Sequence, residues 1–386
     1  MGDGPYCLFK DTTDSLTREW LKDPKKLLKA ELAIAEVAAR KGKRKTRDTH
    51  GVEVYLDENL DRLAEALYNY EWKPGRGAAH IIFRPVQREI FAAPYEDRLV
   101  HHWVIDTLNP WLEPRLYHGS SSCRVGKGTS FGIKLLDTHI RRASHNFAIP
   151  VYVIKLDISG YFMHIVRSLL LERVLKHLDA QFKGDYGKRY KMMKYTIEQI
   201  VMDEPIDGVT IQGSYADWRG LPESKSLFAA EKGRGIVIGN LPSQVFSNVY
   251  LDALDRFVTL DLGYKYYGRY VDDFYIVVTE EQLERAKRDI RAIGHFLNGI
   301  GLSLNKKKIR VIPAWQGVPF LGMVNRKGAI IPDKRIVRNY TMAVNDYIAG
   351  VPNAASVESY IGMLKNYNSW KVINGVLEKV EYRIKL

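Results

Sequence analysis

The sequence predicts an α+β fold, and three observations predict it. Strand-forming runs such as AIPVYVIKLDI and KYYGRYVDDFYIVV alternate with amphipathic stretches at helical spacing, a long Gly-, Asp- and Ser-containing excursion separates two of them, and residues 333–386 are mainly helical in pattern. At 386 residues and 46% hydrophobic content the chain is long and apolar enough for one large core or a few modest subdomains.

In chain order, residues 14–40 read as a helix because Leu21, Leu27, Leu28, Leu32, Ile34 and Val37 recur at roughly helical spacing. A basic run follows, including Lys43, Arg44 and Lys45; such a run is a solvated loop or a set of phosphate contacts. The stretch AHIIFRPVQREIF, carrying Arg84 and Arg88, is β-rich, and a helix is expected from Asp97. His101 and His102 on that helix are structural or surface residues, because no third ligand lies at metal-binding spacing. The strand VYVIKLD ends at Asp157, and the excursion covers residues 203–235. Leu241, Val245, Val249, Leu254 and Phe257 suit one face of the next helix. A hairpin around YVDDF, a helix from Glu281 to Leu297, a strand near Leu302 to Val311 and the segment PFLGMV complete the centre.

The bulk numbers narrow the function. A net charge of +13 favours a polyanionic partner, since each cation that neutralises a phosphate releases condensed counterions. The 23 Tyr and 7 Trp add little, because most aromatics in any protein are core. Two cysteines, Cys7 and Cys123, make neither a disulfide framework nor a zinc site, and a reducing, cytoplasmic setting follows. The N-terminus lacks the plan of a signal peptide, no apolar run approaches the ~20 residues of a membrane span, and Tyr6 stands where a myristoylation signal has Ser or Thr. No membrane role is expected.

The chemistry lies in carboxylates. Two aspartates between strand-forming runs belong at a tight turn, and by themselves they are an ordinary Asp-rich β-turn. Asp157, at the end of another strand, changes that reading: if the strands are neighbours, Asp157 and Asp272 meet at one edge of a sheet. Oxygen ligands of this kind suit Mg²⁺, and two such ions about 4 Å apart support in-line displacement at phosphorus.

The ordered segments KLDISGYF, IGNLPSQ, YVDDF, LSLNKKK and PFLG resemble the motifs of reverse transcriptases over roughly residues 80–330. The resemblance implies a right-hand polymerase: an N-terminal helical extension at 1–49, fingers at 50–148, a ferredoxin-like βαββαβ palm at 149–330 and a helical thumb at 331–386. It implies that Asp157 and Asp272 hold two Mg²⁺ ions, with Mn²⁺ as a substitute, and that Asp273 is a third acidic residue in a less direct role. Phe162 stands where such enzymes exclude a ribose 2′-hydroxyl, and Arg88 where a guanidinium holds the incoming deoxynucleoside triphosphate. Lys308, or a neighbour in Lys306–Lys308, matches a lysine near the pyrophosphate, and Phe320, Leu321 and Gly322 match the primer grip. Lys43, Arg44 and Lys45 become expected nucleic-acid contacts.

A finer resemblance follows from Ile238, Gly239, Ser243 and Gln244, where many such enzymes have Gln-Gly and Ser-Pro. With APYEDRLVHHWV, SSCRVGKGT, LPESKSLF and SYIGMLKNYNSW, these residues are similar to the enzymes of diversity-generating retroelements, bacterial or phage-encoded and group II intron-like. That subgroup implies error-prone copying of a template-repeat RNA, chiefly opposite adenine, through an RNA/cDNA hybrid, with a small basic accessory variability protein as partner. Two alternatives stay open: a phage-defence reverse transcriptase of the abortive-infection type, and a non-catalytic RNA-binding scaffold. Intact Asp157, Asp272 and Asp273 count against the scaffold, because clustered carboxylates repel RNA unless metals neutralise them.

Overall fold

The computed structural model describes residues 23–41, 47–83, 86–185 and 187–384. Along the chain run helices α1 (Pro24–Ala39), α2 (Arg47–Val54) and α3 (Leu56–Tyr68), strands β1 (Ala78–Ile82) and β2 (Arg88–Ala92), and helices α4 (Tyr95–Leu112) and α5 (Thr129–Ala143). Strand β3 (Val151–Asp157) precedes α6 (Tyr161–His164), α7 (Arg167–Phe182), α8 (Lys188–Met202), the short β4 (Thr210–Ile211) and α9 (Leu241–Arg256). Then come β5 (Tyr267–Tyr270), β6 (Asp273–Thr279), α10 (Glu280–Gly299), β7 (Arg310–Pro313), β8 (Val318–Phe320), β9 (Met323–Arg326) and β10 (Ala329–Pro332). Helices α11 (Lys334–Ile348), α12 (Ala354–Leu364) and α13 (Trp370–Ile384) finish the chain. The mixed helix and sheet content agrees with the α+β expectation.

Two compact units form, neither contiguous in sequence: residues 1–116, 160–252 and 300–302 in the first, and 117–159, 253–299 and 303–386 in the second. In the first unit, Asp23 caps α1 by accepting from the Lys26 amide at 3.2 Å, and Pro24 occupies a position whose N–H has no helical partner. Helix α1 packs on α3 and α4 through Leu27, Leu28, Leu32, Ala35 and Ala39. Ile34 and Val37, expected on that face, are 53% and 63% exposed, and Glu36 is buried instead. Ile34 and Val37 project away from the stripe that Leu28, Leu32, Ala35 and Ala39 form at helical spacing, whereas Glu36 flanks that stripe and is satisfied there, accepting the Tyr95 hydroxyl at 3.0 Å and pairing with Arg40. His101 is buried on α4, in keeping with a structural role.

Strands β1 and β2 form an antiparallel hairpin with Ala78 opposite Ala92 and Ile82 opposite Arg88, and β4 adds to β1 in parallel. The excursion 203–235 is therefore ordered. Its 3₁₀ turns at Tyr215–Trp218, Glu223–Lys225 and Leu227–Ala229 are held by Gln87, which donates to the Asp217 and Arg219 carbonyls, by Phe91 against Phe228, and above all by Glu89 of β2, which is 1% exposed. Glu89 accepts from Trp218 Nε1 at 2.6 Å, Ser226 Oγ at 2.7 Å and the Leu227 amide at 2.6 Å. Three donors replace the water that the buried carboxylate has lost.

In the second unit a four-stranded antiparallel sheet has the order β5-β6-β3-β7. Its β3 side chains are almost continuously buried because both faces are covered. On one face Leu136 and Ile140 of α5 pack with Val151, Val153, Tyr275, Val277 and Phe320; α10 contacts β6 and β3. Strands β8, β9 and β10 make a smaller antiparallel sheet, joined by Met323 to a core with Ile133, Tyr340, Val344 and Leu364 from α5, α11 and α12.

Two expectations change here. The strand expected over 302–311 is interrupted: Leu304 only bridges Ile158, Lys306–Lys308 form a 3₁₀ turn, and the regular strand begins at Arg310. The ladder lapses between Leu304 and Arg310: the Asn305 amide still donates to the Asp157 carbonyl at 2.8 Å as part of the Leu304–Ile158 bridge, and the 3₁₀ turn that follows is anchored by Asn305 Nδ2 and Lys308 Nζ on the Asp157 carboxylate, at 3.1 and 2.6 Å. Helix α9 carries Val245, Val249 and Leu254 inside as expected, but Phe246, Ser247, Asn248, Tyr250, Leu251, Asp252 and Asp255 are buried too, so no single face describes it.

Glu89→Ala should loosen the excursion around Trp218, Ser226 and Leu227 without unfolding the sheet. Hydrogen bonds to a charged group contribute about 1.5–3 kcal/mol each, so hydrogen exchange over residues 210–229 is expected to quicken by at least ~10-fold while β3 and β6 keep their protection. Equal acceleration in both places, or none in either, would contradict this role for Glu89.

Candidate active site

The acidic cluster is built by register. Asp157, the last residue of β3, pairs with Asp273, the first of β6, and Asp272 precedes it in the turn, where its carbonyl accepts the Ile158 amide at 3.2 Å. Paired residues share a face of the sheet, and so do residues two apart on a strand. Lys155, Asp157, Asp273 and Tyr275 therefore lie on one side. The expected meeting of Asp157 with Asp272 is refined to a direct opposition of Asp157 and Asp273 with Asp272 adjacent.

The turn itself is tight. Tyr270 and Asp273 close it, leaving only Val271 and Asp272 between the strands, and Val271 has φ +56°. Positive φ at the first position of a two-residue hairpin turn normally calls for glycine, and a β-branched side chain there costs on the order of 1–3 kcal/mol.

Asp157 is 3% exposed. Its Oδ2 receives Lys308 Nζ at 2.6 Å and its Oδ1 receives Asn305 Nδ2 at 3.1 Å. Of the three consecutive lysines, Lys308 is the one carried onto the cluster by the 3₁₀ turn. Burial, and then the charges of Asp157 and Asp273, push the Asp272 carboxyl up to about 6. Burial also raises Asp273, against the pull of Lys155. Lys155 itself is lowered by burial despite the neighbouring Asp273 and Asp157, and its Nζ lies 5.5 Å from the centre of the Phe320 ring. Burial draws Lys308 down, but its hydrogen bond to Asp157 and the charges of Asp157, Asp273 and Asp272 outweigh that and leave it raised.

These values describe a site short of positive charge, which a cation would relieve. Among the described residues no three His, Cys, Asp or Glu side chains are grouped so as to hold a metal by themselves. An open site of this sort fits an ion that takes one or two carboxylates and completes its shell with water and phosphate, as Mg²⁺ does.

Phe320 is 2% exposed and meets Tyr275 edge-on at 5.2 Å, which makes it a core residue packed on the same sheet face that carries Asp273. Leu321 and Gly322 form the β8–β9 turn with φ +51° and +85°.

The remaining expected residues belong to the first unit. Phe162 and Ile238 pack on one cluster, with Ala79, Phe91, Met163, Leu227 and Val237. Ile238 is half-buried, and its carbonyl accepts the Phe91 amide at 2.9 Å. Gly239 has φ +132°, and a Cβ there would stand 2.5 Å from the Phe91 carbonyl oxygen, so the backbone tolerates no side chain. Arg88 opens β2 with its side chain exposed, three residues before Phe91, and Gln244 is exposed on the first turn of α9. Lys43, Arg44 and Lys45 lie outside the described residues, as does Arg84.

Sequence reasoning missed four supports of these sites: Asn305, Glu89, and the buried pair Arg269 and Asp255, whose side chains are 1% and 0% exposed. The available signal was a charged residue in an apolar context, an arginine between strand aromatics in YGRY and an aspartate in the apolar helix YLDALDRF.

No protein-family model and no curated protein matches the chain. Solved structures do. Apo telomerase from Candida tropicalis, truncated from its C-terminal domain, is 14% identical over 67% of this chain and 55% of that one, with a TM-score of 0.48. Telomerase from Candida albicans, in complex with a TWJ fragment of telomeric RNA, is 14% identical over 72% of this chain and 52% of that one, with a TM-score of 0.45. The chain spans about half the length of these structures.

The Asp272 shift makes a stability prediction. A carboxyl raised from 3.8 to about 6 favours folding while protonated, and that contribution is lost as pH rises through about 6. Asp272→Asn should therefore raise the Tm of the metal-free protein by a few degrees at pH 8 and change it little at pH 4.5. The reverse pattern in thermal unfolding with a chelator present would show that the carboxyls do not strain the fold.

Proposed function

We propose that the chain is an RNA-directed DNA polymerase whose reaction centre is the acidic turn. The observation that carries this reading is the register that sets Asp157 against Asp273 with a desolvated Asp272 beside them. When bound at Asp157, Asp272 and Asp273, two Mg²⁺ or Mn²⁺ ions would supply the charge neutralisation that in-line nucleotidyl transfer requires. The chain's own residues do the rest. Lys308, anchored on Asp157, brings a cation to the pyrophosphate side, and Arg88 offers a forked, exposed guanidinium to the triphosphate. Phe162, fixed by the cluster under Ile238, limits the space for a ribose 2′-hydroxyl and so selects deoxynucleotides. Phe320, Leu321 and Gly322 support the primer end, and Lys43, Arg44 and Lys45 add phosphate contacts.

In this reading the sheet β5-β6-β3-β7 is a palm. Its strands follow one another as β-α-β-β-α-β, with the order and antiparallel sense of a ferredoxin-like sheet. The β1–β2 hairpin and its neighbours are fingers, and α11, α12 and α13 a thumb. Among the described residues no helix is long and apolar enough to cross a membrane.

The finer reading is the error-prone enzyme of a diversity-generating retroelement, working with a template-repeat RNA, its cDNA hybrid and a small basic accessory protein. Its physical basis is Ile238. An apolar, β-branched side chain beside the nascent pair offers no hydrogen bonds, and a site without donors or acceptors rejects wrong partners poorly, because no buried polar group is left unpaired by the error.

Primer extension on a defined RNA with Mg²⁺ tests both levels. Synthesis should require the metal and fall by at least ~10³-fold in Asp272→Ala, in line with the share of catalysis that charge stabilisation supplies. Synthesis that survives the substitution rejects the acidic turn as the reaction centre. Ile238→Gln should lower misincorporation opposite adenine by several-fold at retained activity. Accurate copying by the unmodified chain would point instead to a defence enzyme, and no synthesis even with native RNA and accessory protein to a binding scaffold.

A further inference from the structure

Val271 holds a conformation that a β-branched residue reaches only when its surroundings impose it. The surroundings can be named. Nη1 of Arg269 donates to the Val271 carbonyl at 3.0 Å. The rest of the guanidinium is fixed from behind: Nε and Nη2 donate to the two oxygens of Asp255, each at 2.7 Å, and Nη2 also reaches Ser120 Oγ at 3.1 Å. Asp255 is held in turn by the Tyr267 hydroxyl at 2.7 Å. The backbone of Arg269 is clamped as well, its amide donating to the Gly119 carbonyl at 3.0 Å and its carbonyl accepting the Ser121 amide at 2.9 Å. A residue so constrained cannot follow a displaced turn; the turn has to follow it.

A buried ion pair is a poor way to add stability, since apolar residues of similar volume serve as well or better. What apolar residues cannot do is hold a carbonyl oxygen at a fixed point. The forked guanidinium does both jobs at once, with two N–H groups spent on Asp255 and one aimed along the backbone of the turn.

We propose that Arg269, locked by Asp255, is a positioning residue that pins the Val271 carbonyl and thereby holds the strained turn that aims Asp272. The proposal rests on the reading of the acidic turn as a reaction centre, where small displacements of a ligand are costly. It makes the strain at Val271 and the buried pair two parts of one device: the pair keeps the turn in a shape that valine alone would leave.

That coupling separates positioning from simple core packing. Glycine reaches positive φ without steric cost, so Val271→Gly removes the need for the pin, whatever else it changes. The experiment is a double-mutant cycle on the full chain with Arg269→Lys, Val271→Gly and the double variant, and a second cycle with Asp255→Asn, which keeps size and removes charge. Two quantities are read for each: kcat and KM in primer extension, and Mn²⁺ affinity by electron paramagnetic resonance without nucleotide or nucleic acid.

In the valine background Arg269→Lys should lower kcat by roughly 30-fold and weaken Mn²⁺ binding by about 10-fold, with the deoxynucleotide KM within about 3-fold, as expected for misplaced ligands at intact substrate contacts. In the Val271→Gly background the same substitution should change either quantity by less than about 3-fold. Losses of equal size in the two backgrounds overturn the proposal and make Arg269 a packing residue, and so does an Arg269→Lys protein with unaltered kcat and Mn²⁺ affinity. If Arg269→Lys does not fold, the Asp255→Asn cycle decides by the same criteria. A chain that synthesises no DNA but shows the coupling in Mn²⁺ affinity would sink the polymerase reading and leave the positioning role standing, whereas normal synthesis without coupling would do the opposite.

Discussion

The register between β3 and β6 is the constraint on which the second unit depends. Side chains on a strand alternate with period two, so a slip of one residue would turn either Val151, Val153 and Asp157 of β3 or Tyr275 and Val277 of β6 to the opposite face. The apolar members of that set pack against Leu136, Ile140 and Phe320, and they cannot move without opening the core. Asp157 and Asp273 come to the same edge because the hydrophobic residues behind them permit no other alignment. The carboxylates, which repel one another, are brought together by groups that never touch them.

Electrostatics then accumulates where packing has put it. Burial and repulsion from neighbouring carboxylates raise Asp272 and Asp273, while Lys155 and Lys308 offset part of the repulsion, one from the same sheet face near Phe320 and one from the 3₁₀ turn that precedes β7. The strained turn at Val271 adds a geometric cost to the electrostatic one. A fold selected for stability alone would hold neither. Their coincidence at the same two-residue loop is what distinguishes this Asp-Asp pair from the solvent-exposed turns in which such pairs commonly occur.

Much of this was legible from local pattern, and the failures share a cause. The strand before Asp157, the hairpin around Asp272 and the helix after it announce themselves through alternation and period. The chain after Leu304 leaves the expected strand in a turn whose Asn305 side chain is anchored on a partner 148 residues away, Asp157. Glu36 is buried on α1 because Tyr95, 59 residues on, supplies a hydroxyl. Glu89 and Asp255 are buried for the same kind of reason, each satisfied by donors that no local window contains. Periodicity reports where apolar groups go; it is silent about charged groups whose burial depends on distant hydrogen bonds. Among Lys306, Lys307 and Lys308, too, only the folded turn distinguishes the one that reaches Asp157.

Position 238 separates two properties that usually change together. The backbone of Ile238 is tied to β2 through its carbonyl, and Gly239 sits too close to the Phe91 carbonyl for any side chain, while the half-buried Ile238 side chain packs against the cluster of Phe91, Met163 and Val237. Two of the contacts that set the path of the chain here do not involve the side chain at 238. A lineage could exchange that side chain without breaking either backbone contact, so what position 238 presents is open to selection apart from the fold around it.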